Sequence, residues 1–517
     1  MAADEWVRGN DAGVAKPSSR VRRLKPGIVV ALAAGGLLLL GFLLRMVDLT
    51  DPPLDFHADR QLRSAVIARG MYYQMDPRAD PATRNLALAL KAATPTYEPE
   101  IFERMVSLIY LAIGREVLWM ARVLGSLFWV VGGVFLYLLG RRLASDIGAL
   151  IGLAYYLFLP FGVTASRSFQ PDPFMVMWLL AACLALLRFA DQPTWTRAAI
   201  FGLAAGLAIL VKPMAAFPVG LTAAAMCLVA WGRRAVREPR LWLAAALALA
   251  LPAGYYLLQT GAQQAGMFEY FVAAPAGLLT RPSFYIGWAR LLNGMFGLTF
   301  LTLCLIGPLL LPRRARALLA GLWAGYLVYG LVFAYTIHTH DYYSLMLVPI
   351  VALSLAAVAS VLEGRIRLQS QAVRLVALIL VGLCFVPLAW NAIDNLRESD
   401  YRGEPVGWAR LGEALPKDGG IIALTQEYGN RLLYYGWTQA SMWPYQADLR
   451  FAELRGDADD RPFEQIFSDR TAGARYFLVT HFGELEQQAD LKAHLENDFP
   501  IATQGDGFVV YDLGRGK

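Results

Sequence analysis

Twelve side chains in this sequence have the types and surroundings that chemistry requires: Asp55, His57, Arg60, Gln61, Glu98, Arg167, Asp172, Lys212, His340, Asp341, Tyr342 and Tyr343. All fall beside or between long apolar runs. An ionisable group at membrane depth costs roughly 2.5–3.5 kcal/mol on insertion scales, so those that remain line a cavity or pair with one another. Asp55 stands between Leu54 and Phe56, where loss of water raises the basicity of a carboxylate and suits it to general-base work. Asp59 competes for that role, but its place ahead of Arg60-Gln61-Leu62 is also that of a helix N-cap. Arg60 and Gln61 at the start of that helix suit phosphate oxygens, because a guanidinium grips phosphate in two places and the helix dipole favours an anion. The competing reading of Arg60 is a cation stretching to the membrane interface.

The segment Ser166-Arg167-Ser168-Phe169-Gln170-Pro171-Asp172-Pro173 brings an arginine and an aspartate into one short turn, although capping alone would account for Asp172. Lys212 ends an apolar run in Leu210-Val211-Lys212-Pro213, placed to neutralise a lipid phosphate or simply to reach the interface. His338-Thr339-His340-Asp341-Tyr342-Tyr343 gathers imidazole, carboxylate and phenol groups. Two histidines two residues apart with one aspartate lack a diagnostic metal geometry, so hydrogen bonding to a sugar or phosphate is the stronger reading.

The elements that must position these groups are membrane helices. The chain of 517 residues is 57% hydrophobic and 17% charged, with a mean hydropathy of +0.43, far more apolar than a soluble domain requires. A crossing takes about 20 apolar residues in a helix, since lipid offers nothing to an unpaired backbone group. About eleven runs approach that length: 28–48, 117–140, 146–163, 172–190, 198–211, 214–232, 241–258, 288–311, 317–335, 343–362 and 373–393. Arg20, Arg22, Arg23 and Lys25 precede the first run. Arg141 and Arg142, Arg188 and Arg197, Arg233 and Arg234, Arg313 and Arg314, and Arg365 and Arg367 mark every second turn. This bias places the N-terminus in the cytoplasm and the C-terminus outside. It also explains the net charge of +6 without a nucleic-acid partner. The first run lacks a small-residue cleavage pattern and reads as a retained span. Cys183, Cys227, Cys304 and Cys384 sit within runs and share no CxxC spacing, so they read as apolar fillers.

Residues 1–25 read as a disordered cytoplasmic tail, 26–398 as the membrane domain, and 399–517 as a small extracytoplasmic α/β domain without a glycine-rich phosphate loop. The long first loop, 49–116, is expected to hold two interfacial helices. One is opened by Asp59 and punctuated by Gly70; the other runs over Glu100–Ile113 and stops at Gly114.

Asp55-Phe56-His57, then Arg60-Gln61 with Ala65 to Arg69 behind them, Tyr97-Glu98-Pro99, Ser166 to Pro173, Lys212, and His340-Asp341-Tyr342-Tyr343 occur in an order that resembles the GT-C glycosyltransferases using lipid-linked sugars. Within these the chain resembles glycosyltransferase family 39, with its protein mannosyltransferases and lipid A aminoarabinose transferase, over residues 28 to 395. The resemblance implies a GT-C-like polytopic fold. It also implies inverting transfer of a sugar from a polyprenyl-phosphate donor to a glycan, lipid or protein acceptor at the outer face of a bacterial inner membrane. Asp55 would be the base, Asp172 the second catalytic carboxylate, and Arg60 and Lys212 the phosphate holders. His57, Gln61, Glu98, Arg167, His340, Asp341, Tyr342 and Tyr343 would bind substrate. Phe56 follows Asp55 where many relatives carry Glu. That leaves the base open between Asp55 and Asp59, and a divalent metal neither required nor excluded. The alternative class is a transporter of a lipid-linked or anionic substrate, against which stands the absence of any visible repeat.

Overall fold

The computed structural model describes residues 26–257 and 269–515; the expected cytoplasmic tail, with Arg20, Arg22, Arg23 and Lys25, lies outside the described residues. Over the described residues, each of the eleven apolar runs is largely helical. The membrane-crossing elements begin with α1 (Pro26–Leu44), followed by the first loop with α2 (Ala58–Met75), α3 (Pro81–Ala93) and α4 (Ile101–Ile113). Then come α5 (Trp119–Leu143), α6 (Asp146–Phe158), α7 (Pro160–Ser166), α8 (Asp172–Asp191), α9 (Trp195–Val211), α10 (Ala216–Trp231) and α11 (Pro239–Tyr256). The last group is α12 (Pro282–Phe296), α13 (Leu298–Cys304), α14 (Arg313–Val332), α15 (Ala334–Thr339), α16 (Leu347–Ile366) and α17 (Gln371–Arg397).

Length and composition qualify seven of the described helices as spans, or nine when α6–α7 and the α12–α13 region are each counted as one broken span. Two of the eleven runs, those of α9 and α11, do not qualify by this measure. At 1.5 Å per residue the 17 residues of α9 rise about 25 Å, short of a hydrocarbon core of about 30 Å. Pro160 opens α7 and bends that pair by 61°, while Gly297, at φ +75°, lies in the 89° break between α12 and α13. α8 is buried on nearly every side and forms the centre of the bundle. α17, by contrast, buries only Ala392 and Leu396. Close crossings rest on small residues, as membrane helices require in the absence of a hydrophobic drive. A Cβ at Gly152 of α6 would stand 2.6 Å from the carbonyl oxygen of Ala352 in α16.

The first loop holds three helices where two were expected, and the first of them is packed within the protein. Fourteen residues of α2 are buried. Asp59 is not its N-cap: His57 is, in the left-handed region at φ 43°. Nor does Gly70 end it, because a side chain there would strike Lys91 of α3 at 2.6 Å. The glycine allows the two helices to touch. α4 ends as expected at Gly114, φ +84°.

The C-terminal region forms a five-stranded mixed sheet in the order β2-β1-β3-β5-β4, built from β1 (Gly420–Leu424), β2 (Ser441–Met442), β3 (Ala474–Val479), β4 (Ile501–Gly505) and β5 (Phe508–Asp512). β1 pairs in parallel with β2 and β3; β5 runs antiparallel to β3 and β4. Alternation along the strands sends Ile422, Phe477 and Tyr511 to one buried face, and Ile421, Leu478 and Val510 to the other. The domain sits on the first loop. Arg69 of α2 pairs with Glu116 at 2.9 Å, donates to the Tyr434 carbonyl at 2.5 Å, and lies over the rings of Tyr434 and Trp437. Arg402 pairs with Asp48, and the Tyr401 amide donates to Asp51 at 2.9 Å.

Candidate active site

Lys212 is held out of helical geometry by the proline that follows it, so α9 stops and the lysine backbone is extended at φ −153°, ψ 117°. Its side chain is 1% exposed, and Nζ donates to Asp172 Oδ1 at 2.7 Å. The ammonium also lies 5.0 Å from the Tyr342 ring centre and 4.5 Å from that of Tyr343. Reaching for the membrane interface is thereby excluded. Asp172, the first residue of α8, makes no cap to that helix, and its Oδ2 is buried without a hydrogen-bond partner.

Arg60 of α2 joins the same group: Nη2 donates to Glu98 Oε1 at 2.8 Å, and its guanidinium lies 5.7 Å from the Tyr342 ring. Arg63, one turn on and so on the same helix face, donates to Glu98 Oε2 at 3.3 Å. Burial alone would push the Glu98 carboxyl up, but Arg60, Arg63 and Lys212 hold it at about 2. Burial likewise opposes the charge on Arg60, yet Glu98 raises it well above the ordinary arginine value. Three cations thus face Glu98 and Asp172, with a third buried carboxylate, Glu103, close to Arg63. Arg60 Nε and Arg63 Nε and Nη1 are buried with no acceptor in the described structure. Arg63 escaped the sequence analysis, although its three-residue offset from Arg60 was the signal.

His57 and Asp341 form a second group that also meets Tyr342. His57 Nε2 and Asp341 Oδ1 are 2.7 Å apart, and the His57 ring meets Tyr342 edge-on at 4.6 Å and Phe56 at 4.7 Å. A non-glycine residue in the left-handed region is strained, and these contacts hold it there. His340 follows at 6.1 Å from the His57 ring. Thr339 Oγ1 donates to the Tyr335 carbonyl at 2.7 Å, so it accepts from His340 Nδ1 at 2.8 Å, and His340 Nε2 carries the lone pair. Burial, then the neighbouring His57, lowers His340 to about 4. An unfolded histidine takes a proton as pH falls below about 6.5, whereas this one stays neutral down to about 4, so it weakens the fold progressively across that window. The drop in melting temperature from pH 7 to pH 4.5 is expected to shrink in His340→Gln; an identical drop rejects this attribution.

Three expected site residues are placed elsewhere. Asp55 Oδ1 accepts from Arg122 Nη2 at 2.9 Å, and Arg122 also donates to the Asp51 carbonyl at 2.7 Å, so Asp55 belongs to a brace for the chain after α1 and not to the Lys212 group. Arg167 is 2% exposed and donates to the carbonyls of Val47 and Asp48 at 2.5 and 3.0 Å. Gln61 donates to Phe56 O at 2.6 Å and accepts from the Phe169 amide at 2.9 Å, which fixes the Asp55–His57 strand to the α7–α8 turn. These last two brace the chain around the site; the Gln61 amide is fully engaged, and of Arg167 only Nε is left without a partner among the described residues. Among the described residues no three His, Cys, Asp or Glu side chains converge as a metal site.

A bundle centred on α8, a folded first loop leaning on it and a mixed C-terminal sheet above that loop make a fold shared with two solved membrane proteins. The structure is similar to ArnT from Cupriavidus metallidurans bound to undecaprenyl phosphate, with a TM-score of 0.56 and 17% identity over 94% of this chain and 98% of that one. It is also similar to the archaeal oligosaccharyltransferase AglB from Archaeoglobus fulgidus in complex with an inhibitory peptide and a dolichol-phosphate. There the TM-score is 0.57 and the identity 12%, over 92% of this chain and 74% of that one. The sequence profile of the family described as dolichyl-phosphate-mannose-protein mannosyltransferase matches residues 102–256, a segment that includes Asp172 and Lys212. Comparison with curated protein sequences gives no match.

Proposed function

We propose that the protein is an inverting glycosyltransferase that moves a sugar from a polyprenyl-phosphate donor to an acceptor at the extracytoplasmic rim of a bacterial inner membrane. The observation that carries this reading is the buried cluster of Arg60, Arg63 and Lys212, in which three guanidinium nitrogens are left without an acceptor. Buried donors are normally satisfied, and a phosphate bears the oxygens that would satisfy these. The fold's likeness to ArnT bound to undecaprenyl phosphate supports the same ligand.

In the reaction, an acceptor hydroxyl attacks the anomeric carbon as the bond from that carbon to the phosphate oxygen breaks. The departing phosphate keeps the bonding pair, and its charge grows against Lys212, Arg60 and Arg63, where preformed cations lower the barrier most. The acceptor's proton must go to a base. We assign that role to His57: Asp341 takes the Nε2 hydrogen, which leaves Nδ1 basic. This replaces Asp55, whose carboxylate is already held by Arg122.

Undecaprenyl phosphate is expected to raise the melting temperature of the detergent-solubilised full chain in proportion to the logarithm of its concentration above Kd. Undecaprenol, without the phosphate, is expected not to. Equal shifts with both lipids reject the phosphate seat. Counterflow of the donor across proteoliposomes without sugar transfer rejects the enzyme in favour of a transporter.

A further inference from the structure

The C-terminal domain also faces the candidate active site. A cavity of about 300 Å³ lies between the two, lined on the membrane side by His57, Asp59, His340 and Tyr342, and on the other by Gln426, Glu427, Tyr428, Tyr445 and His481. The turn that supplies the upper wall is unusual. Glu427 (φ 54°), Tyr428 (φ 51°) and Gly429 (φ 77°) occupy the left-handed region in succession, which only the glycine does freely.

That turn is held open by specific bonds. Gln426 donates to the Thr480 carbonyl at 3.0 Å, the Tyr428 amide donates to Tyr445 Oη at 3.1 Å, and Tyr428 Oη donates to Asp448 at 3.2 Å. The Tyr428 and Tyr445 rings stack at 4.4 Å, yet Tyr428 remains 44% exposed. His481 Nδ1 accepts from the Glu484 amide at 3.2 Å, so the neutral ring keeps its proton on Nε2. Asp59 is half-buried and has no hydrogen-bond or ion-pair partner among the described residues. Glu427, by contrast, is paired with Arg431 at 3.0 Å.

We infer that this cavity is the acceptor subsite, and that it binds an uncharged, hydroxyl-rich ring of the sugar class. An aromatic face offers stacking for the apolar side of such a ring. Around it stand groups of both hydrogen-bonding senses: the Asp59 carboxylate and His340 Nε2 accept, and His481 Nε2 donates. A ring hydroxyl in this space lies next to His57, the proposed base. Two carboxylates in the lining disfavour an anionic ligand. The inference rests on the transferase reading for the direction of chemistry, but not for binding itself.

Saturation-transfer NMR on the full chain in nanodiscs separates the two. With methyl β-D-glucoside as probe, the wild-type protein is expected to transfer saturation to the ring protons, and Tyr428→Ala to reduce the effect about fivefold, the loss expected for one aromatic contact. Tyr428→Phe, which keeps the ring, is expected to retain it, and Asp59→Asn to weaken it. Methyl β-D-glucuronide is expected to bind less well than the glucoside. No signal with wild type, an unchanged signal in Tyr428→Ala, or preference for the glucuronide overturns the subsite. The melting shift with undecaprenyl phosphate serves as the independent reading. If it persists in Tyr428→Ala while glucoside binding falls, the variant is folded and the subsite stands. If it is absent in the wild type while the glucoside binds, the phosphate seat fails and this inference does not.

Discussion

Lys212→Met is expected to lower sugar transfer by about 10²–10³-fold, the usual loss when one preorganised group stabilising charge in the transition state is removed. The same change leaves Asp172 with both oxygens unmatched in a site where it is 2% exposed. Breaking a buried pair by removing one partner costs about 3–5 kcal/mol, so the single variant will also melt early. The double variant Lys212→Met/Asp172→Asn distinguishes the two effects. With no charge stranded, its stability is expected to return towards the wild-type value while transfer remains slow. A double variant that transfers sugar at the wild-type rate removes Lys212 from the phosphate seat. One that stays as unstable as the single variant shows that packing around Tyr342 and Tyr343, and not the charge, governs the fold here.

His57→Gln is expected to reduce turnover by about 10²–10⁴-fold, the range for loss of a general base, while leaving the undecaprenyl phosphate melting shift intact. Asp341→Asn should approach the same loss. An asparagine no longer takes the Nε2 hydrogen as a carboxylate does, and the tautomer with a basic Nδ1 is no longer favoured. Asp55→Asn is the contrasting case, because it leaves Arg122 near the carbonyls of residues 48–52 with a weakened anchor. If Asp55→Asn silences turnover while His57→Gln does not, the base returns to Asp55.

Much of the architecture was legible because it follows from solvent. Apolar runs set the helices, and alternate arginine clusters mark one end, where Arg142 and Arg314 meet Asp191. The membrane-facing half of the site was legible for a related reason. Arg60, Glu98, Asp172, Lys212 and Tyr342 are groups whose cost at that depth demands partners, and the structure supplies each with another member of the set. The identity of those partners was not legible. Asp55 and Arg122 are 67 residues apart, and His57 and Asp341 are 284 apart, and no local pattern encodes such pairings. α3 was missed although Asp80 and Pro81 form a readable start, with the Asp80 side chain accepting from the Thr83 amide. Its apolar content is modest until it lies on α2. β2 spans two residues and β4 is largely exposed, so neither presents the buried apolar run that β1, β3 and β5 carry. The upper wall of the cavity offered no signal at all, since Tyr428 and His481 become neighbours of His57 only after a domain is folded on top of it.

Tyr342 is a shared contact: Lys212 and Arg60 lie over its ring, and His57 meets it edge-on. On the proposed reading the phosphate seat and the acceptor subsite share this one ring, and selectivity at either is not free to drift alone. A change that widens one of the two narrows or loosens its neighbour, so substrate preferences in such a protein would be inherited as matched pairs.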